Sequence, residues 1–144
     1  MKKCINILLT YLKIKTMVSL LLVILASILN AAMDTLNARY HRSVFYNGKW
    51  PNFNKFTNPA SSWQNKWKGG NRDNGELFFG SSTFLVWTTD AWHLFKTLML
   101  LCFSIAIVTY TPIIHPLIDA IAYWIVFGVV FELFWSRVFL IKNK

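Results

Sequence analysis

Residues 17–33 read MVSLLLVILASILNAAM, an uncharged stretch whose only polar side chains are Ser19, Ser27 and Asn30. Apolar content this dense suits a helix that crosses a bilayer rather than one face of a soluble core. Two further runs repeat the pattern, TLMLLCFSIAIVTY at 97–110 and AIAYWIVFGVVF at 120–131. A water-soluble chain of 144 residues has no interior large enough for all three. The sequence therefore predicts an all-α membrane protein. It has three transmembrane helices, with an interfacial aromatic and basic loop between the first and second.

Punctuation around the runs gives the boundaries of a single membrane domain, 1–144. A basic N-terminal tail occupies 1–16, with Lys2, Lys3, Lys13 and Lys15 among apolar residues at helical spacing. The first membrane helix covers 17–41. The interfacial loop covers 42–82, where Pro51, Pro59, Gly69, Gly70 and Gly75 break regular structure. Trp50, Phe53, Phe56, Trp63 and Trp67 are too many aromatics for a disordered linker. The second helix covers 83–111 and is longer than the ~30 Å apolar core requires. Pro112 and Pro116 break it, and the third helix covers 115–141. So short a connection predicts an antiparallel hairpin.

The net charge is +9, from fifteen Lys and Arg against six Asp and Glu. No nucleic-acid-binding motif accompanies this excess, so no nucleic acid is expected as a partner. The basic residues flank apolar runs, which points to anionic headgroups. Ten of them fall on the side holding the loop and the C-terminus: Arg39, Arg42, Lys49, Lys55, Lys66, Lys68, Arg72, Arg137, Lys142 and Lys144. The positive-inside rule then puts that side in the cytoplasm of a multi-pass cell-membrane protein. Lysines in the tail oppose this assignment. Cys4 and Cys102 are placed neither to pair nor to share a metal. The first run lacks a good cleavage pattern for a signal peptide and reads as a retained helix.

Polar side chains inside the runs are spaced. Ser27, Asn30, Asp34, Asn37 and His41 follow intervals of 3, 4, 3 and 4 and share one helical face. Thr83, Asp90, Thr97 and Ser104 recur every seven residues, with His93 three after Asp90. The two stripes are expected to face each other as an interhelical polar seam of Ser27, Asn30, Asn37, Thr97 and Ser104. Asp34, His41, Asp90 and His93 then gather at the loop end. Imidazole and carboxylate together would suit Zn, Mn or Fe, and such a metal could activate water. The alternative is ordinary hydrogen bonding between helices. No cofactor follows firmly, and the catalytic residues are unknown. His115 and Asp119 lie about 33 Å from His93 along the chain's helices and belong to a different site.

In the loop, Ser61 to Lys68 alternates the aromatics Trp63 and Trp67 with the basic Lys66 and Lys68 and the amides Gln64 and Asn65. With Lys96, Trp63, Lys66, Trp67 and Lys68 form a candidate surface for phosphate or headgroups. Ser81 or Ser82 is a natural N-cap for the second helix.

Four stretches, Met33 to Leu36, Ser61 to Trp67, Phe79 to Thr83 and Thr89 to Lys96, together resemble small multi-pass membrane proteins of bacteria and their phages that have no assigned function. The resemblance spans roughly half the chain and carries over no site residue.

Three functional expectations follow. The first is a small integral membrane protein acting through lipid or protein interaction at the interface, as a homo-oligomer or with a membrane partner. The second is a metal-dependent membrane hydrolase built on Asp34, His41, Asp90 and His93, acting on a lipid-like substrate. The third is a holin-like protein of phage type. Whether the chain is an enzyme stays open at this stage.

Overall fold

The computed structural model describes residues 2–46 and 50–141; Lys49, Lys142 and Lys144, counted above with the basic side, lie outside them. The described residues are helical throughout apart from turns and two isolated β-bridges. Three helices are long and apolar enough to cross a membrane.

Helix α1 runs unbroken over Lys2–Arg39. The basic tail, 1–16, and the first span, 17–41, are joined in this one helix. Nothing at the junction disfavours helix: Lys13 to Val18 contains neither Gly nor Pro. Helix α2 covers Pro51–Thr57 and helix α3 covers Pro59–Ser62, each with proline in its first turn. Helix α4 covers Ala91–Thr109, starting eight residues later than expected at 83. Residues 80–90 fold instead as tight turns, because Gly80 adopts a positive φ and Asp90 is the N-cap. Helix α5 covers Pro116–Leu133 and ends in a π-helical turn, Phe134–Val138.

Helix α1 is the centre of the bundle, touching both α4 and α5. It runs parallel to α5, with Ser27 Oγ donating to the Phe127 carbonyl at 2.6 Å. It runs antiparallel to α4, with Ser19 Oγ donating to the Ala106 carbonyl at 3.2 Å. The inner face of α1 carries Ser19, Val23, Ser27, Ala31 and Thr35, all buried. This is a small residue at nearly every fourth position, the arrangement that lets helix backbones approach closely without a water-driven core.

The ladder replaces the expected face-to-face seams. Ser27 belongs to it, and Asn30 is half-buried beside it. Asp34, Asn37 and His41 are exposed, as are Thr97 and Ser104 on α4. The stripe drifts off the small-residue face because Asp34 projects about 100° round the helix from Thr35. Ser104 turns its hydroxyl back to the Leu100 carbonyl, 2.9 Å away, and so needs no partner on another helix.

At one end the α4–α5 connection is fastened by Asp119. Its buried carboxylate accepts from Tyr110 Oη at 2.9 Å and from the Ile113 amide at 2.7 Å. His115 caps α5, its Nδ1 accepting from the Leu117 amide. At the other end Arg39 lies 3.4 Å over the Trp135 ring. There the chain closes on itself: the Val44 amide donates to Phe139, and the Ile141 amide donates to Arg42.

Candidate functional site

Residues 42–46 and 50–90 form a folded cap over the Arg39 end of the bundle. Leu36 of α1, Tyr40 in the turn that follows it and Ala91 of α4 are its buried floor, and Phe45, Tyr46, Phe56, Trp92 and Phe95 pack on them. Tyr40 Oη donates to Asn54 Oδ1 at 3.1 Å and lies 3.2 Å from Thr57 Oγ1, which ties α2 to the turn that ends α1. Asn65 holds the other side. Its Nδ2 donates to the carbonyls of Lys55 and Thr89, both at 2.9 Å.

Residues 66–77 form a narrow hairpin joined by the bridge between Trp67 and Glu76. The Leu77 amide and Ser81 Oγ both donate to the Lys66 carbonyl, at 2.9 and 2.8 Å. Glu76 organises the turn that follows. Its carboxylate accepts from the Gly80 amide at 2.9 Å, from the Ser82 amide at 3.1 Å and from Ser82 Oγ. These bonds, the Ser82 hydroxyl foremost, hold the Glu76 carboxyl below its ordinary value. Ser81 and Ser82 are thus occupied in closing the turn; neither caps α4.

That cap is Asp90. Its carboxylate accepts from the His93 amide at 2.9 Å and pairs with His93 Nδ1 at 2.7 Å. Asp90 is 2% exposed. Asp34 stands exposed on α1, and the His41 ring packs edge-on against Tyr40 and Tyr46. Of the four expected metal ligands, only Asp90 and His93 therefore meet. Among the described residues no three His, Cys, Asp or Glu side chains are grouped to hold an ion.

The expected headgroup residues are distributed over the cap. Trp63 is exposed, and its indole N–H donates to the Ala60 carbonyl. Lys68 is exposed, and Lys66 and Trp67 are half-buried. Lys96 reaches back over the Trp92 ring at 4.9 Å. Around them Trp50, Phe53, Leu77, Phe78, Phe79, Phe84 and Trp87 are exposed.

Two hollows stand out. One, about 470 Å³, lies among the helices and is walled by Val23, Phe103, Tyr123 and Phe127; it offers almost no polar surface. The other, about 480 Å³, lies in the cap and is walled by Lys55, Gln64, Asn65, Trp67, Thr88 and Thr89 among others. The smaller chemical repertoire of the first makes the second the better candidate for recognition, although the two are of similar size. Gln64 and Asn65 belong to the mixed aromatic, basic and amide stretch 61–68, and Lys55 to the basic residues of the loop; no spacing in the sequence brings the three to one hollow.

Compared with models of protein families, with curated proteins and with solved structures, the chain matches none.

Proposed function

We propose that this is a small integral membrane protein that acts without catalysis, through contact between its cap and anionic lipid at the membrane surface. The observation that carries the reading is an apolar belt that ends where the cap begins. On α4 and α5, Leu98, Leu101, Ile105, Val108, Ile121, Ile125 and Val129 are all exposed. Such an area facing water would drive association. Three exposed charged residues, Asp34, Lys96 and Glu132, fall on the three helices at a similar depth, roughly 5–10 Å inward from the Arg39 end. From Asp34 back to Lys15 the rise of α1 is about 28 Å, close to the ~30 Å of a bilayer's hydrocarbon. The cap then lies at headgroup level, where Trp and Lys are at home.

The basic surplus on the cap side supports a cytoplasmic cap. A hydrolase reading is left with a single Asp90–His93 pair, which already has the structural task of starting α4. The protein partner or second copy remains compatible with the same exposed aromatics, but the charge favours lipid.

Single-tryptophan variants in bilayers with brominated acyl chains test the reading. Trp63 and Trp87 should be quenched most by bromines placed near the headgroups. Insensitivity to every bromolipid, together with full quenching by aqueous iodide, would overturn it.

A further inference from the structure

The hollow in the cap combines groups that select a particular kind of ligand. Lys55 supplies one cation. Lys55, Asn52 and Gln64 line the hollow, and their side chains have no hydrogen-bond or ionic partner among the described residues. The hydroxyls of Thr88 and Thr89 already donate, to Leu85 at 2.8 Å and to Val86 at 2.7 Å, so toward a ligand their oxygens are acceptors. Asn65 is part of the frame: its Nδ2 is engaged twice by backbone carbonyls, which fixes the amide, and its Oδ1 is buried out of a ligand's reach. Phe56, Trp67 and Phe78 supply apolar surface.

A ligand matched to this set needs one negative charge for Lys55, hydroxyl protons for Thr88 and Thr89, and a C–H skeleton for the aromatics. A bare phosphate offers mainly acceptors and leaves the protein's acceptors unanswered. A choline or ethanolamine headgroup brings its own cation beside Lys55. We propose that the hollow binds a singly charged phosphodiester bearing a free polyol, the chemistry of a phosphatidylglycerol headgroup. Leu77 and Phe78 line the hollow and are also exposed, which gives the acyl side of a lipid an apolar exit. The inference rests on the reading of the cap as a headgroup-level layer. Its chemistry could also be met by the free headgroup in solution.

Native mass spectrometry of the full chain, titrated with phosphatidylglycerol, phosphatidylcholine or soluble glycerophosphoglycerol, separates these cases. The expected result is a phosphatidylglycerol adduct weakened about tenfold by Lys55→Ala and by Gln64→Ala, consistent with loss of one charge-assisted or polar contact. Lys13→Ala, at an exposed lysine near the opposite end of α1, should leave it unchanged. Equal binding of glycerophosphoglycerol would keep the site and assign it to the free headgroup. Equal binding of phosphatidylcholine, or equal loss in Lys13→Ala, would overturn the site. If that happens while Trp63 and Trp87 still report headgroup depth, the inference fails and the interfacial reading stands.

Discussion

At Gly80 the backbone φ is +81°, and a Cβ there would lie 2.6 Å from Cε1 of Phe84. Both constraints act against any side chain, one through backbone sterics and one through the ring. Gly80→Ala is expected to destabilise the cap by about 1–3 kcal/mol, read by denaturant titration of cap tryptophan emission. Substitution at Gly75 is costly for the backbone alone: an added Cβ meets nothing within 4 Å, but φ +80° with ψ −176° is a conformation essentially restricted to glycine. Glu76, four residues before Gly80, gives the same turn a pH dependence. Its carboxyl is held below the ordinary value in the fold. The stabilisation is therefore present above the unfolded carboxylate's pKa, and it is lost as pH falls through the lower folded one. Acid titration should loosen the cap, and Glu76→Gln should remove that component. A Gln variant that keeps the full acid response would assign it to another carboxylate.

Among the elements, α1 shows what sequence alone conveys and where it stops. Three apolar helices were legible from run length, because the bilayer's thickness imposes it. Their rotation was not. Asp34, Asn37 and His41 draw the eye as a polar stripe, yet the face that packs is the quieter one through Ser19, Ser27, Ala31 and Thr35. Close approach of backbones depends on what is small, and small residues leave little mark in a hydropathy profile. The start of α4 was misjudged for a related reason. Residues 83–90 are apolar enough for helix, but the Asp90 cap and the Gly80 turn set the boundary. Of the candidate site, Trp67 and the lysines were legible by composition. The hollow was not, since it needs α2, the 66–77 hairpin and Thr88 to meet. A bulky residue on the packing face tests the rotation. Ala31→Leu should cost about 1–3 kcal/mol by overpacking, whereas Asn37→Leu, at an exposed position, should be near neutral. The measurement is unfolding of the bundle in mixed micelles. Equal losses would place the stripe inward after all.

For the whole molecule, the proposed placement makes the two ends of the bundle accessible from opposite compartments. In a background with Cys4 and Cys102 replaced by serine, Asn74→Cys reports the exposed tip of the cap and Lys13→Cys the far end of α1. An impermeant maleimide added to intact cells should label Lys13→Cys and spare Asn74→Cys if the cap is cytoplasmic. The opposite pattern would invert the orientation while leaving the lipid-facing role of the cap in place. Labelling of both from one side would argue against three crossings.

The closure of residues 42–44 on 139–141 carries a consequence for the order of events during synthesis. The Val44 amide finds its acceptor at Phe139, and Arg42 receives the Ile141 amide. Both partners emerge from the ribosome only after the cap and the two later helices have been made. The nascent cap must therefore wait, with its foundation unlatched, until the end of α5 arrives. A chain stopped at Val138 should enter the bilayer with its helices intact and leave residues 42–46 open to protease. Protection of that segment in the shortened chain would show that the latch follows assembly without being required for it.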